Sequence, residues 1–365
     1  MNFLDRFWET VHQYPDKTAI TDLNGTRIIT YRELYMLSGR AAAKLIQTGG
    51  AAKKAVLVCM NRSIEYVAAE IGIMMAGAAF VPLPYEYPKE QISGIKKDCG
   101  AACTIDAAWM EDIGSFDPVV KGEEADTERA LILYASGSDG RPKGIVHSHA
   151  SLYRGAMRSV HAFGLGEEER LAASAPMSSA VCILEYFAIL LSGGCVHILT
   201  EKARKDVRLL EDYYADNGIT CGFISPKMLR YFKNRDGALK KVFTGGGRLS
   251  MLCGAGYELY HLYGTGKTAF LISFYKVEAP MENTPIGTPA DGIEILLLDD
   301  EGNEVTDGAQ GEICVRGIVG ECYLNLEEQS ARTFVRQEDG SILLHTGDIG
   351  QKLPDGNFVC VKRKG

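Results

Sequence analysis

The stretch AVLVCMNRSIEYVAAEIGIMMAGAAFVPL, residues 55–83, decides the class of the fold. Residues 55–60 form a short apolar run that is typical of a buried strand. Residues 63–77 carry apolar side chains at helical spacing, and the pattern predicts a helix that ends near Gly77. Residues 79–83 are again apolar and predict a second strand. This order of strand, helix and strand indicates a parallel α/β unit.

The same rhythm recurs outside this stretch, at residues 130–163 and 221–245. After about Pro280 it gives way to short strands separated by Asp-Gly and Glu-Gly turns, a pattern that favours antiparallel sheet. We therefore predict an α/β fold with two stacked lobes of mainly parallel sheet at residues 1–280. A smaller β-rich lobe is predicted at residues 281–365.

Composition narrows the possible functions. The chain has 365 residues, of which 46% are hydrophobic and 24% are charged, as in globular proteins. Its 39 basic and 47 acidic residues give a net charge of −8 without a basic block, so nucleic acid is not an expected partner. The ten cysteines form no CxxC pair and favour a reducing cytoplasm and no metal site. The most apolar stretch, residues 180–199, is interrupted by Glu185 and two glycines, so it predicts a buried helix followed by a strand and no membrane span.

The sequence GKT at residues 266–268 resembles the end of a P-loop. That template requires a glycine five positions before Gly266, where this chain has His261. The residues that follow, 269–274, form an apolar run that predicts a strand, whereas a P-loop is followed by a helix. A P-loop is therefore not predicted at this position.

A second candidate phosphate-binding segment is LILYASGSDGRPKGIVHSHASL, residues 131–152. Its glycines would let the backbone approach a polyphosphate, its serine hydroxyls are donors, and Lys143 supplies a mobile positive charge. Composition alone equally allows a glycine-rich surface loop without such a role.

The order of residues in this segment resembles the (T/S)SGTTGxPKG loop of the adenylate-forming superfamily. This superfamily includes acyl-CoA synthetases, luciferases and the adenylation domains of nonribosomal peptide synthetases. Five further stretches are similar to motifs of the superfamily and occur in the same order: ITYREL (29–34) to LTYxEL, AGAAFVPLPYEYPKEQI (76–92) to AGxAYVPLDPxYPxERI, FTGGG (243–247) to xxGGE, GEICVRG (311–317) to GELxIxG, and HTGDIG (345–350) to RTGDLG.

The resemblance covers nearly the whole chain and implies an acetyl-CoA synthetase-like N-terminal domain. It also implies ATP-dependent activation of a carboxylic acid as an acyl-adenylate, with transfer of the acyl group to a carrier-protein or CoA thiol. Catalysis of this kind depends mostly on positioning and charge neutralisation. The resemblance implies that ATP and Mg²⁺ take part.

The resemblance also implies roles for individual residues. The candidate nucleotide-binding residues are Ser136, Gly137, Ser138, Gly140, Lys143, Gly245, Gly246, Tyr263, Gly264, Asp348 and Arg363. The candidate catalytic residues are Lys143, Lys267 and His149. In this scheme Tyr263 stacks on adenine, and Asp348 accepts hydrogen bonds from both ribose hydroxyls.

The residues YGTGK at 263–267 depart from the YGPTE motif of the superfamily, in which the glutamate binds Mg²⁺. Lys267 stands at the glutamate position, and an ammonium group offers no oxygen to a hard cation. Lys267 could place its own charge against the phosphates, or it could point to solvent in a site that no longer works.

A second departure concerns the acid. Members that activate amino acids carry an aspartate that pairs with the substrate ammonium, and the aligned residue here is Ala180. A buried ammonium without a partner costs several kcal/mol, so we expect an apolar acid without an α-amine, such as an aryl, keto, hydroxy or fatty acid. The expected pocket residues are Ala180, Val181, Leu184, Phe223, Phe243, Leu262, Phe270 and Leu271.

The third departure is at the end of the sequence, VKRKG. The resemblance implies a smaller C-terminal lobe beyond this point, which this chain is expected to lack. Alone, the chain is expected to bind nucleotide better than it turns it over. The competing hypothesis is a degenerate binding or scaffolding module of the same fold.

Overall fold

The computed structural model describes residues 2–22, 25–49, 51–120, 129–136, 142–235, 237–306, 308–317 and 320–364. Within these ranges the helices are α1 (Phe3–Gln13), α2 (Tyr31–Gln47), α3 (Ile64–Met75), α4 (Lys89–Asp98), α5 (Ala107–Glu111), α6 (His149–Phe163), α7 (Ile189–Ser192), α8 (Val207–Asp216), α9 (Pro226–Leu229) and α10 (Glu327–Thr333). The strands are β1 (Thr18–Asp22), β2 (Arg27–Thr30), β3 (Ala55–Val58), β4 (Ala79–Pro82), β5 (Thr104–Ile105), β6 (Arg129–Ser136), β7 (Pro142–Ser148), β8 (Arg170–Ala173), β9 (Cys195–Ile198), β10 (Cys221–Phe223), β11 (Lys241–Gly245), β12 (Glu258–Thr265), β13 (Phe270–Lys276), β14 (Thr288–Pro289), β15 (Ile293–Leu298), β16 (Gln310–Gly317), β17 (Cys322–Tyr323), β18 (Phe334–Arg336), β19 (Ile342–Lys352) and β20 (Phe358–Arg363).

The stretch at residues 55–83 folds as β3, α3 and β4, with β3 and β4 parallel and buried along their whole length. The Ser63 hydroxyl caps α3 by accepting a hydrogen bond from the Tyr66 N–H at 3.2 Å. Every residue of α3 except Glu65 is buried, because the helix packs between the sheet and α2. The predicted α/β unit is confirmed here.

Three sheets organise the described part of the chain. The six-stranded sheet has the order β17-β7-β6-β4-β3-β5, and the nine-stranded sheet has the order β14-β13-β12-β11-β10-β8-β9-β1-β2. The centres of both sheets are parallel, and their edges are closed by antiparallel pairs such as β6–β7 and β12–β13. The third sheet, β15-β16-β19-β18 with β20 beside β19, is antiparallel throughout.

A single apolar cluster joins the two mainly parallel sheets. The ring of Phe187 lies 4.9 Å from that of Phe3 in α1 and 5.8 Å from that of Phe80 in β4, measured between centroids. The cluster also contains residues of both sheets, such as Phe80 of β4 and Val196 of β9, so the two sheets share one core. The predicted fold class is confirmed, while the proposed boundary at residue 280 stays a prediction.

Two local predictions differ from the structure in detail. The helical pattern at residues 226–235 forms only the short helix α9, which ends at Leu229. The apolar stretch at 180–199 forms a π-helical turn (Ile183–Ala188), then α7, and then β9. Among the described residues, no helix combines the length and the apolar character needed to cross a bilayer.

Candidate functional site

A cleft of about 1030 Å³ opens beside the carboxyl ends of β11 and β12 and is bordered on its other side by β19 and β20. Parallel strands commonly bind ligands at this end. Five of the candidate nucleotide-binding residues line the cleft: Gly246, Tyr263, Gly264, Asp348 and Arg363. Residues that are far apart in the sequence are therefore brought to one surface.

Asp348 lies at the centre of this surface and is only 7% exposed. The Tyr263 hydroxyl donates a hydrogen bond to Asp348 Oδ2 at 2.7 Å. Arg363 stands opposite Asp348 across the β19–β20 pair, with Nη1 at 3.4 Å from Asp348 Oδ1. Burial, followed by the charge of Asp348, raises the pKa of Tyr263 well above its usual value, so the phenol keeps its proton and remains a donor.

The backbone of β19 fixes the Asp348 carboxylate. The Thr346 hydroxyl accepts a hydrogen bond from the Asp348 N–H at 3.0 Å and donates one to the Ile313 carbonyl at 2.6 Å. Between these two residues, Gly347 has a φ of +83°, which favours glycine. The Thr-Gly-Asp turn is therefore anchored to the neighbouring strand β16.

Two glycines keep part of the opposite wall of the cleft free of side chains. Gly246 follows β11 with a φ of +73°. At Gly264, where the β12–β13 pairing is irregular, a Cβ atom would collide with the carbonyl of Phe270. A side chain at this position would therefore displace the chain beside Tyr263.

Lys267 is half-buried and lies against β19. Its ammonium donates to the Thr346 carbonyl at 3.0 Å and to the His345 carbonyl at 3.4 Å. Burial, followed by the charge of Arg363, lowers the pKa of Lys267, while the charge of Asp348 opposes that shift. The Lys267 side chain is therefore held against β19 by these two carbonyls.

The turn that carries Lys267 is tightly held and strained. The Thr265 hydroxyl accepts a hydrogen bond from the Lys267 N–H at 3.1 Å. Ala269 and Phe270 follow with φ values of +48° and +85°, in the region that residues with a side chain rarely adopt. Each such residue costs about 1–3 kcal/mol and tends to occur at functional sites. The helix that a P-loop requires is replaced here by β13.

His147 is a residue that the sequence analysis did not single out. It is fully buried in β7, and its Nε2 lies 2.6 Å from the Gly266 carbonyl. Burial lowers its pKa to about 4, so the imidazole is neutral and Nε2 carries the proton that it donates. His147 thus ties the strand after the glycine-rich loop to the turn that carries Lys267. A histidine within an apolar strand is the sequence signal for such a contact.

The structure describes only some of the other candidate residues near the glycine-rich loop. Lys143 is half-buried in β7, and its charge is among those that lower the pKa of Lys267. His149 is the first residue of α6, where burial lowers its pKa and the charge of Asp5 opposes that shift. Gly137, Ser138, Gly140 and the side chain of Ser136 lie outside the described residues. Gly245 is the last residue of β11 and pairs with Leu262 of β12.

The expected pocket residues all belong to, or pack against, the apolar cluster that joins the two mainly parallel sheets. Leu184, Phe223, Phe243, Leu262, Phe270 and Leu271 are buried members of it, and Ala180 and Val181 pack against it at partial exposure. Leu262 also lines the cleft and so connects the cluster to the nucleotide side.

Glu185 lies fully buried beside these residues and accepts hydrogen bonds from the Ser174 and Ala175 N–H groups at 2.8 and 3.0 Å. Burial raises the pKa of Glu185 to about 7.

Comparison with known proteins gives a family match for most of the chain. Residues 7–123 and 107–324 match the family model described as AMP-binding enzyme, in two overlapping segments. The chain belongs to the AMP-binding enzyme family. The match ends at residue 324, before Asp348 and Arg363. The assignment of those two residues to the site therefore depends on the geometry of the cleft.

The alignments with relatives cover almost the whole of this chain. Bacitracin synthase 1 of Bacillus licheniformis is 28% identical over 378 residues, which cover 98% of this chain and 7% of that protein. Tyrocidine synthase 1 of Brevibacillus parabrevis is 28% identical over 389 residues, which cover 98% of this chain and 35% of that protein. The chain thus spans a minor part of each of these relatives.

A solved structure shares the fold of this AMP-binding enzyme chain. The N-terminal subdomain of Klebsiella oxytoca NpsA, in complex with 3-hydroxyanthranilyl-AMSN, superposes with a TM-score of 0.87 at 22% identity. The superposition covers 99% of this chain and 100% of that one. The predicted likeness to an adenylation N-terminal subdomain is therefore confirmed for the fold.

Proposed function

We propose that this chain binds ATP and activates a carboxylic acid as its acyl-adenylate, and that the acyl group then passes to a thiol. In the activation step a carboxylate oxygen attacks the α-phosphorus of ATP, and the bond to the leaving pyrophosphate breaks. The observation that carries the proposal is the joining of Tyr263, Asp348 and Arg363 in one cleft of a chain that belongs to the AMP-binding enzyme family.

The cleft can hold the nucleoside part of ATP. An ionised carboxylate has about four lone-pair sites, and at Asp348 one is directed to the Tyr263 hydroxyl and another faces Arg363. The remaining sites can accept the two ribose hydroxyls. We assign the ring of Tyr263 to stacking on adenine, and the side-chain-free wall at Gly246 to close approach of the base.

The phosphate side of the proposed site depends on Lys267 in place of a metal-binding carboxylate. An ammonium cannot ligate Mg²⁺, and the Lys267 ammonium is directed at the carbonyls of His345 and Thr346. The residue at this position therefore does not fit the metal. We assign to Lys267, with Lys143 nearby, the neutralisation of negative charge that accumulates on the phosphates.

The acid is proposed to be apolar and to lack an α-amine. Ala180 offers no carboxylate to an ammonium group, and the neighbouring Glu185 already accepts two backbone N–H groups. The expected pocket residues, such as Leu184 and Phe243, are apolar and so favour an aryl or alkyl group over a charged one. The solved NpsA subdomain was captured with 3-hydroxybenzoyl-AMSN as well, which makes 3-hydroxybenzoate a useful member of a test panel.

The acceptor is proposed to be the thiol of a carrier protein or of CoA. An artificial NpsA-ThdA fusion joins an adenylation domain to a PCP domain and superposes on this chain with a TM-score of 0.86. All ten cysteines, which lie within the described ranges, are free, in keeping with the cytoplasmic location that the sequence predicts. That location and the absence of a nucleic-acid partner stay predictions.

Two measurements on the purified chain test the proposal. Calorimetric titration with ATP and with AMP should show one saturable site. Pyrophosphate exchange with ATP, screened over aryl, keto, hydroxy, fatty and amino acids, should respond to an acid without an α-amine. Exchange is measured both on this chain and on the chain joined to a C-terminal lobe from a relative, since the resemblance implies such a lobe.

The outcomes separate the two functions. Exchange with any acid supports activation. ATP binding without exchange, in either form of the chain, would favour the degenerate binding module. Absence of both ATP binding and exchange would refute nucleotide chemistry at this cleft.

A further inference from the structure

Three potential metal ligands face one another on the antiparallel sheet. Cys314 of β16 and His345 of β19 are direct partners across the strand pair. Glu312 precedes Cys314 by two residues and so emerges on the same face of β16, with an irregularity of pairing between them. Because 31 residues separate Cys314 from His345, spacing along the sequence does not reveal the group.

The distances among these three side chains match a tetrahedral metal. His345 Nδ1 lies 3.4 Å from Cys314 Sγ and 3.4 Å from Glu312 Oε2. Zinc bonds of about 2.3 Å to sulfur and about 2.0–2.1 Å to nitrogen and oxygen place the sulfur about 3.6 Å and the oxygen about 3.4 Å from the nitrogen. All three ligand atoms lie within 4.8 Å of one another. The ligands therefore need little rearrangement to meet on one ion.

The surroundings allow a metal to enter and to be held. The Cys314 side chain is buried, whereas the side chains of Glu312 and His345 keep 12% and 29% exposure. Glu312 Oε1 is fixed by the Gly347 N–H at 3.0 Å, which leaves Oε2 as the ligand atom. Lys364 Nζ lies 3.4 Å from Oε2 but also 2.9 Å from Asp300, so it can keep that partner when a cation arrives.

We propose that Glu312, Cys314 and His345 form a binding site for Zn²⁺ or a similar borderline-soft divalent ion, with water in the fourth position. The Cys314 thiol loses its proton to solvent as the zinc–sulfur bond forms, so one Zn²⁺ binds and one H⁺ is released. A thiolate and an imidazole discriminate against Mg²⁺ and Ca²⁺, which take oxygen ligands. This site is separate from the nucleotide cleft.

The site would act on the cleft through strand β19. His345 contributes its imidazole to the metal group and its backbone carbonyl to the Lys267 ammonium. Asp348 follows three residues later on the same strand. A metal on His345 would thus restrain the strand that positions both charged groups of the cleft.

The test is direct titration of the whole chain with Zn²⁺, followed by calorimetry in two buffers of different ionisation enthalpy. We expect one equivalent of Zn²⁺ and release of one proton. Replacement of Zn²⁺ by Co²⁺ should give the near-ultraviolet charge-transfer absorption of a thiolate ligand. Mg²⁺ should not compete.

Variants assign the signal to these residues. Cys314→Ser and the more exposed His345→Gln should each weaken Zn²⁺ binding by at least about tenfold, the lower end of the loss that even outer-shell changes cause. Cys360→Ser and His161→Asn, which alter an exposed cysteine and an exposed histidine elsewhere, should leave it unchanged. Because His345→Gln changes a partly exposed side chain, it remains informative if Cys314→Ser folds poorly.

Two results would overturn the site. One is a wild-type chain that binds no Zn²⁺ stoichiometrically. The other is binding, or a cobalt thiolate band, that survives both Cys314→Ser and His345→Gln or is lost equally in the Cys360 control. Lys364→Met, which removes the competing charge, should tighten Zn²⁺ binding by roughly twofold to fivefold. Weaker binding in that variant would refute the role of Glu312 as a ligand.

Discussion

Replacing Asp348 by asparagine should weaken ATP binding roughly tenfold to a hundredfold. The asparagine keeps one carbonyl oxygen and turns the other into an amide group that donates. One ribose hydroxyl then loses its charged acceptor, and hydrogen bonds to charged groups contribute about 1.5–3 kcal/mol each. Since about 1.4 kcal/mol corresponds to a factor of ten, the dissociation constant should rise by that range.

The internal partners of Asp348 limit the damage to the fold. The Tyr263 hydroxyl can rotate to accept from the new amide, whereas the Arg363 guanidinium has no acceptor. Because the Arg363 side chain is 72% exposed, it can turn to solvent when its partner loses its charge. The Asp348 N–H keeps its bond to the Thr346 hydroxyl, since that bond uses the backbone. Circular dichroism and thermal melting should therefore show a folded variant.

The assay is calorimetric titration with ATP and with dideoxy-ATP, which lacks both ribose hydroxyls. Wild type should prefer ATP, and Asp348→Asn should weaken the binding of ATP much more than that of dideoxy-ATP, since dideoxy-ATP has no ribose hydroxyl that could lose its acceptor. Asp339→Asn is the matched control, because Asp339 is an exposed turn carboxylate of the same lobe. Equal weakening of ATP and dideoxy-ATP by Asp348→Asn, or an equal effect of Asp339→Asn, would refute the ribose assignment.

Three further predictions follow from the same site. Tyr263→Leu should weaken ATP binding by about tenfold, since an aromatic ring stacked on a base contributes about 1–3 kcal/mol, and Tyr263→Phe should retain most of the affinity. Lys267→Glu should lower pyrophosphate exchange by roughly a hundredfold, because it places a carboxylate beside Asp348 and against the phosphates, and a rise in exchange would show that the lysine impairs the reaction. Burial raises the pKa of Glu185 from 4.5 to about 7, so the folded state holds a proton that the unfolded state releases. The free energy of unfolding should therefore fall by about 3 kcal/mol between about pH 5 and pH 8, and urea titrations of Glu185→Gln should lack this fall.

The α/β class was predictable because burial patterns of sheets are local. In residues 55–83, apolar segments of strand length alternate with one of helix length. The spacing of the apolar side chains within each segment indicates its secondary structure. The register of β19 and β20, by contrast, depends on pairing between strands and leaves no period in the sequence. The motif HTGD therefore suggested Asp348 as a site residue, but the sequence could not place Tyr263 at hydrogen-bond distance from it.

The orientation of Lys267 was not predictable for a related reason. A lysine in place of a metal ligand is visible in the sequence, but its partners are two backbone carbonyls, which carry no sequence signature. The strain at Ala269 and Phe270 could not be predicted either, because alanine and phenylalanine do not indicate a positive φ in a sequence. His147 was missed because a buried histidine in a strand looks like an ordinary core residue until its acceptor is known.

The contacts of β19 indicate how a cleft without the carboxylate of the family motif can remain ordered. In the family motif, the negative charge of the carboxylate balances part of the positive charge of Mg²⁺. Lys267 instead has a single positive charge, and its burial is costly. Two carbonyl acceptors and the neighbouring charge of Asp348 offset that cost. The His345 and Thr346 carbonyls must therefore stay in place. If they moved away, the Lys267 ammonium would lose both acceptors and remain half-buried beside the positive charge of Arg363. With lysine at position 267, any chemistry in the cleft therefore depends on the position of β19. The proposed metal site of Glu312, Cys314 and His345 would stabilise this strand.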